Sequence, residues 1–490
     1  MSLIKSLVLP SPDTSSISHF GIYVNGEVRA GSGPQIKLVS RVDGSQLGVV
    51  LSASASDVTD AYTNAVAAQS SWRLTTPAKR SEIFQRTAIL FRERAGDLGQ
   101  IISAEMGKPI GEARTEVEKG AAILDYYSQA GYRSSGDFYS TDSGEDVMVF
   151  EEPLGTVALI TPWNFPFTLP MRKIAASLAV GNTAVFKPAT NASLCSLIMA
   201  QTLSEAGLPK GVLNVIIGKS QIIEQALFKD PRLNGVSLTG SYETAAHIRN
   251  LIPVEVPFQA ELGGKNALIV WSDANLDVAL EIVKASSFRN NGQICTSCGR
   301  LLVHRDVAKE FLEKVTVSIK STKMETTDGS YGIMSSKGEH EKITNLLDRN
   351  TAGYSEVITA PWEAGRLGPT VIVEPKPGEL LDEEIFGPVI TFEVIESIEE
   401  AILKANATHY GLTAGIVTHD LVVAQKFWAG SSAGTIKVNA PLTGAPFHVP
   451  MEGWSQSGAG GGEGGAASIH FFTRRKAVHI RRPSTGLKTT

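Results

Sequence analysis

From about residue 150 onward the chain alternates short apolar runs with helix-length segments. Thr156 to Thr161, Thr183 to Phe186, Leu213 to Ile217 and Val236 to Thr239 are such runs. Met171 to Val180 and Leu194 to Ala206, which lie between them, read as helices. A strand buried on both faces shows no polar face, so it reads as a continuous apolar run rather than an alternating one. Its two faces must then be covered by helices, which dictates an α/β chain built on parallel sheets. The pattern resumes with a strand at Asn266 to Val270, a helix at Leu276 to Phe288 and a strand at Arg300 to His304. At least two α/β units therefore follow in tandem.

The flanks read differently. Residues 1–20 are rich in Ser, Thr and Pro and are expected to be a mobile arm. Short strands are expected at Ile22 to Val24 and Ile36 to Val39. Helices follow at Asp57 to Ala68, Ser81 to Met106 and Glu112 to Ala130, the second stopping at Gly107 and Pro109. Ser455 to Ala467 is Gly-rich, either a linker or a loop needing close backbone approach. Ile469 to Ile480 reads as a strand, followed by Arg481 and Arg482.

Composition bounds the function. At 490 residues the chain has room for about three domains. Lys and Arg number 45 against 50 Asp and Glu, a net charge of −5. That balance argues against nucleic acid and anionic membrane as main partners. Three cysteines, Cys195, Cys295 and Cys298, argue for a reducing, cytoplasmic compartment and against a disulfide scaffold. No apolar run is long enough to span a bilayer. The nine histidines are scattered without paired ligand spacing, so no metal site is expected.

Several residues could carry chemistry. Cys295 lies just past a helix in a polar, Gly-bearing segment, Asn291 to Cys298. Backbone N–H groups there could stabilise a thiolate; the alternative is a packed thiol. Cys295 and Cys298 form a C-x-x-C, which leaves a redox disulfide open. Glu261 ends an extended run and is followed by two glycines, either a general base facing a cleft or a solvated turn. Asn164 stands between Pro162 and Pro166 at a strand's carboxyl end, where α/β sheets bind ligands. Its amide suits an oxyanion, or it is a cap. Gly240 and Ser241 open a helix after a strand, suited to a phosphate or an ordinary cap. Lys187 ends the Thr183 strand. A cofactor-free hydrolase using Cys295 and Glu261 is compatible with these residues alone.

Taken together and in order, these segments resemble the aldehyde dehydrogenase superfamily. They are Trp163-Asn164-Phe165-Pro166, Lys187-Pro188, Leu238-Thr239-Gly240-Ser241, Glu261-Leu262-Gly263-Gly264-Lys265, Gly292-Gln293-Ile294-Cys295 and Glu384-Ile385-Phe386-Gly387-Pro388-Val389. The resemblance implies NAD(P)-dependent oxidation of an aldehyde to its acid. It implies Cys295 as nucleophile, Asn164 as oxyanion donor and Glu261 as base. For the cofactor it implies Thr161, Trp163, Lys187, Thr190, Gly240, Ser241, Glu384 and Phe386. Thr190 stands where many NAD-preferring relatives carry a Glu, which favours NADP or dual use. Lys219, close by, is a candidate helper. For the substrate it implies Arg172, Phe165 and His448, with Arg172 and Pro441 to Pro450 leaning toward an acidic semialdehyde over an aromatic aldehyde.

The architecture implied is α/β: two doubly wound parallel-sheet domains plus a small β flap. Residues 18–130 and 150–260 would bind the dinucleotide, 261–455 would be catalytic, and 131–149 with 470–487 would form an oligomerisation flap. A homodimer or homotetramer is expected. The segment 322–370 departs from the family pattern, as does Pro450-Met451-Glu452-Gly453.

Overall fold

The computed structural model describes residues 2–10, 17–132, 136–322, 332–351, 356–360 and 367–481. Five of the apolar runs lie side by side as parallel strands. Their order across the sheet is Phe258–Glu261, Val236–Thr239, Thr156–Ile160, Thr183–Lys187 and Leu213–Val215. Gly458–Ala459 closes one edge antiparallel, and Ile22–Val24 with Glu27–Arg29 closes the other. Thr156–Ile160 is buried at every position. Helices Ala55–Trp72 and Thr168–Ala179 pack on these central strands.

The chain order creates a crevice. From Thr156–Ile160 the chain adds Thr183–Lys187 and Leu213–Val215 on one side. It then returns to place Val236–Thr239 and Phe258–Glu261 on the other. Where the order reverses, the carboxyl ends of Thr156–Ile160 and Val236–Thr239 diverge, and such switch points bind ligands.

A second sheet has seven strands, in the order Val357–Thr359, Thr370–Val373, Val389–Ile395, Cys298–His304, Asn266–Val270, Thr413–Val417 and Thr435–Val438. All pairs are parallel except the first. A third sheet stands apart, with Thr473–Arg481, Glu145–Pro153 and Gly136–Ser140 antiparallel in that order.

Three expectations change. The helix expected over Ser81 to Met106 is two helices, Pro77–Glu93 and Ala95–Met106, parted at Arg94 with φ −99° and ψ 4°. Both halves bury one face in the same core, so their apolar period runs on across the break. The Arg94 guanidinium reaches Glu205 at 2.7 and 2.8 Å. The strand expected over Ile469 to Ile480 begins as a helix, Gly465–Phe471, and only then becomes the strand Thr473–Arg481. Ser468 Oγ accepts the Gly464 N–H at 2.7 Å and fixes that turn. A short apolar run cannot tell the two apart by period. The amino-terminal arm is partly docked: Ser2–Lys5 is helical, Leu7 is buried, and His19–Phe20 pairs with Gln46–Leu51.

Of the two readings of Ser455 to Ala467, close approach holds. Gly458 pairs with Glu261, and a Cβ on Gly460 would lie 1.8 Å from the Phe258 carbonyl. Arg482, residues 11–16 of the expected arm, 133–135 and 482–487 of the expected flap, and 323–331, 352–355 and 361–366 of the divergent segment lie outside the described residues.

Candidate active site

Cys295 follows a tight left-handed turn. Asn290, Asn291 and Gly292 have φ of 48°, 54° and 68°. Left-handed backbone is tolerated by Asn and Gly better than by other residues. At Gly292 the space is also closed, since a Cβ would sit 2.1 Å from the Gly387 carbonyl. Side chains pin the turn. Asn291 exchanges two 2.8 Å hydrogen bonds with the Gly332 backbone. Asn266 Nδ2 donates to the carbonyls of Cys295 and Ser297 at 2.8 and 2.7 Å. Cys295 is held by the backbone on both sides of it.

Asn164 is tied to the same turn. Its Nδ2 donates to the Gln293 carbonyl at 2.9 Å. Its own carbonyl accepts from Lys108 Nζ at 2.9 Å and from Asn290 Nδ2 at 3.2 Å. One Nδ2 hydrogen remains for a ligand. Burial pushes the Cys295 thiol up to about 12, with Glu384 and Glu261 adding to it. Arg172 and the Thr296 N–H pull it down. Cys298 is buried, its thiol donating to the Arg300 carbonyl at 3.3 Å. Cys195 is buried in the helix Ser193–Glu205.

Glu261 ends its strand, buried, with no hydrogen-bond partner on either carboxylate oxygen. The Glu463 N–H beside it is committed to the Met451 carbonyl at 2.8 Å. Burial raises its pKa well above the usual range, Glu463 adds to the rise, and Lys173 opposes it. Behind it Lys173 Nζ and Glu463 Oε2 form an ion pair of 2.5 Å, excluded from water. Lys173 also donates to Ser237 Oγ at 3.0 Å.

Cys295 lines two cavities. One, of about 210 Å³, occupies the switch-point crevice and is walled by Trp163, Gly240, Ser241, Glu384 and Phe386. Trp163 and Phe386 meet edge to face at 5.6 Å. Ser241 caps the helix Tyr242–Leu251 through the Thr244 N–H, so the cap and the cavity wall are one residue. Nothing but the Leu238 side chain lies within 4 Å of a Cβ on Gly240. The hydroxyls of Thr161 and Thr239 are buried without partners. A helix amino terminus, open glycine and orphan hydroxyls fit a nucleotide's anionic and ribose groups. Glu384 accepts the Gly264 N–H at 3.1 Å, and burial pushes its carboxyl up to about 7. Lys187 ends its strand beside Thr161, pushed by burial down to about 8.

The other cavity, of about 260 Å³, holds Phe165, Arg172, Arg289, Lys119 and Thr296. Arg172 is 3% exposed, so it is no surface residue. Its Nη2 donates to the Ala445 carbonyl at 2.7 Å, and its Nη1 is buried without a partner.

Residues 28–478 match the aldehyde dehydrogenase family. The chain belongs to that family. It is 33% identical over 476 residues to an alpha-ketoglutaric semialdehyde dehydrogenase of Bacillus subtilis, covering 94% of this chain and 97% of the relative. An NAD-dependent aldehyde dehydrogenase of Sinorhizobium meliloti superposes with a TM-score of 0.91 at 29% identity, covering 98% and 99% of the two chains. An NADP-dependent glyceraldehyde-3-phosphate dehydrogenase of Bacillus halodurans, complexed with NADP, gives 0.89 at 29%, covering 94% and 98%. The activity is NAD(P)-dependent oxidation of an aldehyde to the acid.

Within this aldehyde dehydrogenase some expected site residues stand aside. His448 is exposed beside Phe447 and Tyr126, outside both cavities. Thr190, which opens a short turn, Lys187, Thr161 and the expected base Glu261 line neither. Sequence reasoning missed Lys173, Glu463, Lys119 and Asn290. One signal existed: Glu463 is the only charged residue between Ser455 and Ala467.

Proposed function

We propose that this aldehyde dehydrogenase oxidises an acidic semialdehyde, with NADP or with either nicotinamide cofactor. One observation carries the substrate class. Arg172 lines the cavity that Cys295 also lines, and one of its guanidinium nitrogens is buried without a partner. Such a donor is costly unless an anion takes it. The semialdehyde relative supports the same reading.

In this reading Cys295 Sγ, once deprotonated, attacks the aldehyde carbon. The carbonyl oxygen becomes an oxyanion held by Asn164 Nδ2 and the Cys295 N–H. A preorganised donor of this kind contributes about 3 kcal/mol. The chemistry the cofactor supplies when bound is acceptance of a hydride. Collapse of the adduct leaves a thioester on Cys295. Glu261 takes a proton from water, hydroxide attacks the thioester carbon, and the C–S bond breaks to restore Cys295. Glu261 then returns its proton to solvent. Trp163, Phe386, Glu384, Lys187, Gly240, Ser241, Thr161 and Thr190 would hold the cofactor, and Phe165 would flank the substrate. Thr190, uncharged, exerts no repulsion on a 2′-phosphate.

Residues 18–130 with 150–260 would form the cofactor domain, 261–455 the catalytic domain, and 131–149 with 470–487 an oligomerisation flap. The enzyme would be a cytoplasmic homodimer or homotetramer; three unpaired cysteines fit a reducing compartment.

A panel of 4-oxobutanoate, butanal and benzaldehyde, each with NAD and NADP, tests the reading. Reduced nicotinamide should form fastest from 4-oxobutanoate and be lost in Cys295→Ala. A preference for benzaldehyde, or ester cleavage indifferent to nicotinamide, would sink it.

A further inference from the structure

The substrate cavity carries more positive charge than Arg172 alone explains. Lys119, Arg172 and Arg289 line it, against Glu112 and Glu116. Glu116 is already saturated. Its Oε2 pairs with Lys108 at 2.5 Å, and its Oε1 accepts the N–H groups of Phe167 and Thr168 at 2.8 and 3.1 Å. Glu112 faces Arg289 and Lys108. Lys119 has no hydrogen bond or ion pair among the described residues, although it is half-buried. An ammonium that shares a cavity with two guanidinium groups is unfavourable until an anion joins them.

We propose that Lys119 is a specificity-determining residue whose ammonium, with Arg172, grips the carboxylate of a semialdehyde whose carbonyl lies at Cys295. This rests on the acidic-substrate reading above and adds the residue that reads the charge. Lys119 sits one turn beyond Glu116 on the helix Ile110–Ser128, while Arg172 comes from Thr168–Ala179. The two cations therefore enter the cavity from different elements. A carboxylate between them is fixed in direction as well as neutralised, which holds the aldehyde end toward the thiol.

The charge on Lys119 is conditional. Burial lowers its pKa to about 8, and Arg172, Arg289 and Lys437 push the same way against Glu116. Above that pH the free enzyme loses part of its clamp. An arginine at this position would stay protonated.

The test measures kcat/KM for 4-oxobutanoate, for butanal and for glyceraldehyde 3-phosphate, from pH 7 to 9.5. In Lys119→Met the value for 4-oxobutanoate should fall about tenfold to a hundredfold. The value for butanal should fall much less, and an unchanged thermal unfolding midpoint shows that the variant is folded. In the wild type the KM for 4-oxobutanoate should rise above pH 8, and Lys119→Arg should remove that rise while keeping affinity. Equal losses for both aldehydes, or no loss for 4-oxobutanoate, would overturn the role of Lys119. A wild type that does not prefer 4-oxobutanoate to butanal would instead overturn the acidic-substrate reading. If glyceraldehyde 3-phosphate is the better substrate and depends more on Lys119, the anion is a phosphate and the carboxylate assignment fails.

Discussion

Asn164 shows what a preorganised donor costs to build. Its carbonyl is held by Lys108 and Asn290 and its amide by the Gln293 carbonyl, so it is aimed before any ligand arrives. Asn164→Ala should lower kcat about 10²- to 10³-fold with little change in the substrate KM, as steady-state kinetics would show. Protons set a second expectation. Cys295 and Glu261 are both raised acids, and the proposed mechanism uses both in their deprotonated forms. For butanal, which has no carboxylate, kcat/KM should therefore climb with pH through the neutral and alkaline range. Arg172 lowers both, so Arg172→Met should displace the rise to higher pH. The rate of Cys295 alkylation by iodoacetamide against pH would show it, and an unmoved profile would refute the coupling. Thr190→Glu should weaken NADP far more than NAD, because a carboxylate there meets the 2′-phosphate with like charge. The motif residues were legible in the sequence because each sits in a short run of distinctive types. Lys173 and Glu463 were not, since 290 residues separate the pair and only folding joins them.

Elements were legible where one periodicity governs one element. The parallel strands read as apolar runs because both faces are covered, and Val236–Thr239 and Asn266–Val270 fall where expected. The break at Arg94 was hidden because two helices serve one core in phase. The helix at Gly465–Phe471 was hidden because seven residues carry too little period to separate it from a strand. A helix can also depend on a side chain far from it in sequence. Glu105, from the helix Ala95–Met106, accepts the Leu194 and Cys195 N–H groups at 2.7 and 3.0 Å. It thereby satisfies the start of Ser193–Glu205, where amides lack helical partners. Glu105→Ala leaves both amides buried and unpaired, and should cost about 2–4 kcal/mol, seen as a lower midpoint in thermal unfolding. Burial raises the Glu105 carboxyl to about 8, above its unfolded value of 4.5. A raised acid binds more protons folded than unfolded, so its contribution is full below the unfolded value and fades as pH rises through 8. Glu105→Gln keeps an acceptor without the titration. It should flatten the decline of the unfolding midpoint between pH 5 and 8, and an equally steep decline would assign the titration to another group.

At the scale of the whole molecule the third sheet is the part that does not close on itself. The two large sheets have helices packed on them, but Gly136–Ser140 is exposed at every position. Phe138 and Tyr139 there are 63% and 53% exposed. A bare strand edge with aromatic side chains invites another strand. The opposite edge, Thr473–Arg481, does not, because Arg474, Arg475, Lys476 and Arg481 crowd it with positive charge. Glu152 and Glu145 of the middle strand engage some of that charge, Lys476 at 2.6 Å and Arg481 at 3.1 Å, and the remainder would repel a second copy. If the flap joins subunits, the joining edge is therefore Gly136–Ser140. Placing acids on it should break the assembly without touching the candidate active site, which lies on the two large sheets. Phe138→Glu with Tyr139→Glu should sediment as a smaller species than the wild type in velocity centrifugation. The same double change to acid at Arg474 and Arg475 should leave the mass unchanged. If both variants keep the wild-type mass, the flap is not the joining surface. If only the Arg474 and Arg475 variant dissociates, the basic edge is the one that pairs.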